Sequence, residues 1–123
     1  MAETASDCLF CKIGAKEVDA DVVHASDHVV AFRDVNPQAP THILVIPKGE
    51  YASSDDFAEK ASDAEIAAFV RAVGRIAREQ GVVDTGYRIL ANHGRDAHQE
   101  VPHFHIHLFG GRNLGRMIPK PAE

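Results

Sequence analysis

Apolar positions recur along this chain with two different periods. Two short valine-rich runs come first, Asp21-Val22-Val23-His24 and His28-Val29-Val30-Ala31-Phe32. Ala25-Ser26-Asp27 separates them, which predicts a hairpin. Asp34-Val35-Asn36-Pro37-Gln38-Ala39-Pro40 reads as a loop, because each proline denies helical geometry to the residue before it. His42-Ile43-Leu44-Val45-Ile46 is almost wholly apolar and is stopped by Pro47, predicting a central strand covered on both faces. The period then changes. Ser62-Asp63-Ala64-Glu65 is a capping box, and Ile66, Phe69, Val70, Val73, Ile76 and Ala77 follow at helical spacing. Gly81 ends that helix, with Arg75 and Arg78 near its C-terminal end, where the helix dipole favours cations. Tyr87–Asn92 and His103–Phe109 return to strand patterning, joined by a polar loop from His93 to Pro102. Near the start, Asp7 is placed to cap a short helix over Cys8–Ile13 that Gly14 would end. Residues 1–6 are small and polar, predicting a disordered N-terminus. The order β-β-β-α-β-β with short links predicts an α+β fold: an antiparallel five-stranded sheet with one long and one short helix.

Composition narrows the function classes. The 123 residues make one domain, and 45% hydrophobic with 25% charged residues is the balance of a globular chain. Thirteen basic against 18 acidic residues give a net charge of -5, which argues against a broad basic footprint for nucleic acid or an anionic membrane. No apolar run approaches the ~20 residues that span a bilayer. The N-terminal residues carry acid and no basic segment, unlike a secretory signal. Two cysteines, Cys8 and Cys11, make no disulfide framework, so a reducing cytoplasm is the expected location.

Histidine is the composition's anomaly. Of eight, five lie between His93 and His107. His103-Phe104-His105-Ile106-His107-Leu108-Phe109 alternates strictly, and side chains of a strand alternate faces. Phe104, Ile106 and Leu108 therefore share the core face. The three histidines share the other, spaced about 6.6 Å apart along the strand. Two chemistries use such a row. Imidazoles can bind a transition metal, or one ring can attack phosphorus while its neighbours orient it. The loop Asn92-His93-Gly94-Arg95-Asp96-Ala97-His98-Gln99 offers carboxamides, an arginine and backbone amides, which favours an anion site beside the triad.

The His103–Phe109 segment resembles the His-φ-His-φ-His-φ-φ signature of the histidine triad (HIT) superfamily. Ala31–Pro47, with its Pro37-Gln38-Ala39-Pro40-Thr41-His42 block, is similar to the family's segment before and through the central strand. Gly86-Tyr87-Arg88, Asn92, Gln99-Glu100-Val101 and Gly110-Gly111-Arg112 also fit. The resemblance spans roughly residues 7–118 and is greatest to the Hint branch, among its bacterial purine nucleoside phosphoramidases. It implies a HIT domain over residues 7–112. The remaining residues, 113–123, would form a tail near a dimer partner's site. The sheet would continue across the homodimer.

The resemblance further implies that His105 is the nucleophile. It would attack the α-phosphorus of a nucleoside 5′-phosphoramidate, and water would then release the nucleoside monophosphate. His103 would hold the orientation of His105, and His42 would lie near the triad. His107, Asn92, His98, Gln99 and Glu100 would form the phosphate site. Asp34 would accept the ribose hydroxyls, and Phe10, Phe32 and Val35 would line a base pocket. No cofactor is required. Two departures stand out. Ala97-His98 replaces a pair of loop glycines, which costs energy if the backbone there needs positive φ. Glu100 stands where the branch with animal members has serine. Some bacterial relatives use a C-x-x-C pair with two histidines as a structural zinc site, and here the alternative ligands would be Cys8, Cys11, Glu50 and His103. Competing readings are a dinucleoside polyphosphate hydrolase or nucleotidyl transferase of the same superfamily, a nucleotide-binding regulatory module, and a metal-binding protein.

Overall fold

The computed structural model describes residues 20–99 and 101–118. The expected helix over residues 8–13 and the N-terminal residues 1–6 lie outside the described residues. Five strands form one antiparallel sheet: β1 (Val22–Ala25), β2 (Val29–Arg33), β3 (Thr41–Pro47), β4 (Tyr87–Leu90) and β5 (Ile106–Gly110). Their order across the sheet is β1-β2-β3-β5-β4. Two helices lie between β3 and β4 in the chain, α1 (Ser54–Lys60) and α2 (Asp63–Glu79). This is the expected α+β fold, an antiparallel five-stranded sheet with one long helix; the short helix α1 is not the one expected over residues 8–13. Among the described residues, no helix is long and apolar enough to cross a membrane.

β3 holds the centre because its residues suit nothing else. All seven positions from Thr41 to Pro47 are buried. Ile43 and Val45 pack toward α2 with Phe69, Val73, Ile76 and Leu108. Leu44 and Ile46 point the other way, with Val30 and Phe32. Covering both faces explains why the run does not alternate in polarity.

α2 starts at Ser62, whose hydroxyl accepts from the Glu65 amide while the Glu65 carboxylate accepts from the Ser62 amide. It ends in a Schellman motif. The Gly81 amide donates to the Arg78 carbonyl and the Val82 amide to the Ala77 carbonyl. Gly81 takes φ +73, and Val82 turns into the core. The buried face runs through Phe69, Ala72, Val73, Ile76 and Ala77. Val70, expected on that face, is 64% exposed. Helical spacing allowed either edge of the stripe, and the sheet meets the Ala72 edge.

α1 is the element the periodicity did not reveal. Its seven residues bury one side chain, Phe57, so they carry no repeat. Its signal lies in the cap: Ser53 accepts from the Asp56 amide, and Asp55 and Asp56 favour the positive end of the helix.

Candidate active site

The histidine segment is held differently from a simple strand. Pairing in β5 begins at Ile106 rather than His103. Before that, the chain is gripped by carbonyls of the segment that leaves β3. The Phe104 amide donates to the Tyr51 carbonyl at 2.6 Å. His103 Nε2 donates to the Pro47 carbonyl at 3.1 Å. The Gln99 carboxamide donates to the carbonyls of Ala52 and Val101. Tyr51 is anchored in turn, its hydroxyl donating to Glu65 at the start of α2. The alternation still holds, since Phe104, Ile106 and Leu108 pack into the α2-side core. The histidines therefore face the side of the sheet away from α2.

Three hydrogen bonds fix where the ring protons sit. His105 Nδ1 lies 2.7 Å from the His103 carbonyl, which can only accept. Nδ1 therefore carries the proton, and Nε2 of the neutral ring carries a lone pair. The Gln38 amide can only donate, and it donates to His42 Nδ1 at 3.1 Å. Neutral His42 is thus protonated on Nε2, which lies 3.0 Å from His107 Nδ1. His107 Nδ1 accepts, and its own proton sits on Nε2.

Burial favours the neutral form of three rings, those of His42, His103 and His107. It pushes His107 down to about 4, with the neighbouring His105 and His42 adding to the shift and Asp34 opposing it. His42 and His103 are also lowered, chiefly by burial. His103 and His105 are 2% and 8% exposed. Phe109 closes the group, stacked parallel to the His107 ring and 4.2 Å from the His42 ring centre.

Asp34 places Oδ2 3.5 Å from His42 Nε2, while its Oδ1 accepts from the Asn36 amide as an Asx turn. Asp34, His42 and His107 bring one ligand atom each within 4.8 Å of one another, close enough for a divalent ion. The proton pattern opposes that use. A histidine that ligates through one nitrogen donates a proton from the other. Here the other nitrogen of His42 accepts one.

The other expected site residues surround this group unevenly. Phe32 is buried on the histidine side of the sheet, beside Leu44 and Ile46. Val35 is 89% exposed in the following loop. Asn92 is half-buried just beyond β4. Gln99 uses both ends of its side chain, accepting from the Gly94 amide and His93 within the loop while donating to the carbonyls of Val101 and of Ala52 beyond β3. His98 is exposed and adopts φ +57, the one non-glycine residue in that region among those described. The expected cost of replacing loop glycine is therefore real at this position. Phe10, Glu100, Cys8 and Cys11 lie outside the described residues. Of the alternative zinc ligands, Glu50 lies close enough to His103 to oppose the lowering of its pKa.

Two contributors were not assigned from sequence: the Gln38 amide, and Arg112, whose Nε and Nη2 donate to the Gln38 carbonyl at 3.2 and 2.8 Å. Arg112 was legible as part of Gly-Gly-Arg. A backbone amide leaves no residue-type signal.

Comparison with known proteins fits this geometry. The HIT domain family model matches residues 15–114, and the chain belongs to that family. It is 56% identical over 112 residues to an uncharacterised 13.2 kDa HIT-like protein of Azospirillum brasilense, covering 91% of this chain and 92% of that protein. It is 40% identical over 114 residues to the purine nucleoside phosphoramidase of Escherichia coli K12, covering 93% and 95%. Among solved structures, a HIT family hydrolase from Legionella pneumophila superposes with a TM-score of 0.78 at 40% identity, covering 88% of this chain and 96% of that one.

Proposed function

We propose that this protein hydrolyses the P–N bond of purine nucleoside 5′-phosphoramidates through a nucleotidyl-His105 intermediate. One observation carries the reading: the His105 Nδ1 proton is held by the His103 carbonyl, which presents the Nε2 lone pair of the neutral ring. Nε2 bonds to phosphorus and the P–N bond breaks, with the amine leaving as its nitrogen gains a proton. Water then attacks the same phosphorus. The His105–P bond breaks, the nucleoside monophosphate departs, and one water is consumed overall. Splitting the displacement in two is covalent catalysis.

The neighbours serve the charge that develops on the phosphoryl oxygens. His107 offers Nε2–H, supported from behind by His42. Asn92 and the loop of His98, Gln99 and Glu100 supply further donors, with the Gln99 side chain holding the loop's shape. Asp34 takes the ribose hydroxyls, and Phe10, Phe32 and Val35 take the purine. The scheme needs no metal.

A homodimer and a cytoplasmic location belong to the same reading. β4 is an edge strand with Tyr87, Ile89 and Leu90 exposed, suited to pairing with a second copy so that the tail beyond residue 112 reaches the partner's site. The test is a panel of adenosine and guanosine phosphoramidates and dinucleoside polyphosphates, assayed with chelator present. Phosphoramidate turnover that disappears in His105→Ala, while AMP still binds, is the expected result. Full turnover in that variant overturns the assignment, and preference for dinucleoside polyphosphates shifts it to the alternative hydrolase.

A further inference from the structure

His42 matters to the site only if its proton sits on Nε2, and what decides this is the Gln38 amide facing Nδ1. Gln38 is exposed, in the loop between Pro37 and the buried Ala39. Its amide must nonetheless stay aimed at a buried ring. The guanidinium of Arg112 provides the anchor, forking onto the Gln38 carbonyl through Nε and Nη2. Its third arm, Nη1, donates to the Asn113 carbonyl at 2.7 Å. The turn after β5 makes this reach geometrically available. Gly111 adopts φ +89, and a Cβ there would stand 2.9 Å from Pro40 Cβ, so only glycine lets the two chain segments approach so closely.

We propose that Arg112 is a positioning residue for the histidine site. By gripping Gln38 it keeps the Gln38 N–H against His42 Nδ1, and so sets the tautomers of both His42 and His107. The chain of donation runs from the Gln38 amide to His42, and from His42 to His107. It leaves His107 a donor on the side where phosphoryl oxygens would lie. The catalytic part of this inference rests on the nucleotidyl-transfer reading above; the tautomer part stands without it. A planar, permanently charged fork suits the task, because two donors converging on one carbonyl oxygen fix its direction as a single ammonium cannot.

The deciding experiment is long-range 15N–1H correlation NMR of the imidazoles in ligand-free protein, with steady-state kinetics on the same samples. Wild type shows His42 and His107 each as a single Nε2–H tautomer. Arg112→Ala turns His42 into a mixture of tautomers and lowers kcat about tenfold, the equivalent of one lost charge-assisted bond, while KM stays within about twofold. Arg112→Lys keeps the charge without the fork and falls between the two. Arg88→Ala cuts a different clasp on the tail, to the Leu114 and Gly115 carbonyls, and leaves the tautomers as in wild type. An unchanged His42 tautomer in Arg112→Ala overturns the proposal, whether or not turnover falls. If no phosphoramidate is turned over by wild type, a shifted tautomer still supports the positioning role, and the reading of the reaction is what fails.

Discussion

Between pH 7 and pH 4.5, the fold should lose stability through one half-buried ring, that of His107. His107 titrates near 6.5 in an unfolded chain and at about 4 in place, lowered first by burial and then by His105 and His42. The folded state therefore holds the neutral ring, and between those two values the unfolded chain binds more protons. Stability from this residue is complete above about pH 6.5 and drains away as pH falls toward 4. Linkage across that interval gives about 2.5 kcal/mol between pH 7 and 4.5, trimmed to about 2 because the ring is only half-buried. His42 and His103 are lowered for the same reason and pull in the same direction. The three carboxylates lowered in the fold contribute little in this window. Glu65, lowered chiefly by the Ser62 amide, titrates below its ordinary 4.5, and Asp55 and Asp56 titrate below 3.8. Urea unfolding at a fixed protein concentration, in wild type and His107→Asn, isolates the one ring. Asn cannot titrate. The stability gap between the two proteins should shrink by about 2 kcal/mol from pH 7 to 4.5. A gap that stays constant over this range refutes the argument that burial holds the ring neutral.

Substitutions at three positions test the packing and the backbone. Leu108→Ala, at a fully buried position on β5, should cost about 2–5 kcal/mol in the same assay. Gly111→Ala meets both a positive φ and Pro40, and should destabilise by more than about 1 kcal/mol while separating Arg112 from Gln38. At His98, glycine and valine should move thermal stability in opposite directions. Gly removes the cost of φ +57, gaining up to about 1 kcal/mol net of its own unfolded-state freedom, and Val, β-branched, raises that cost.

The sequence carried most of the strands because the decisive residues are repetitive. Val29–Phe32, Thr41–Pro47 and the His-φ-His alternation each declare a face by residue type alone. α1 escaped because one buried phenylalanine makes no period, and Val70 was misplaced because helical spacing fixes a stripe's pitch but not its edges. In the site, His42, His103, His105 and His107 were legible as chemical types, and the structure does bring them together. What the letters could not show is which ring nitrogen holds each proton. The Pro47, Tyr51, Ala52 and His103 carbonyls and the Gln38 amide govern that or the path of the histidine segment, and a backbone group looks the same under every residue. The glycine-to-histidine departure before Gln99 was visible beforehand because positive φ penalises a specific class of residue.

The bond between His42 and His107 joins residues 65 apart in the chain. No local fragment contains both, and no pair of consecutive strands can assemble the histidine group alone. The site therefore exists only in molecules whose β3–β5 ladder has closed, an event late in any folding route that forms near-neighbour contacts first. In the folded ensemble, its amide protons should exchange with the slowest class rather than with fraying loops. A ligand seated there would hold together the whole central sheet, not merely the pocket it occupies.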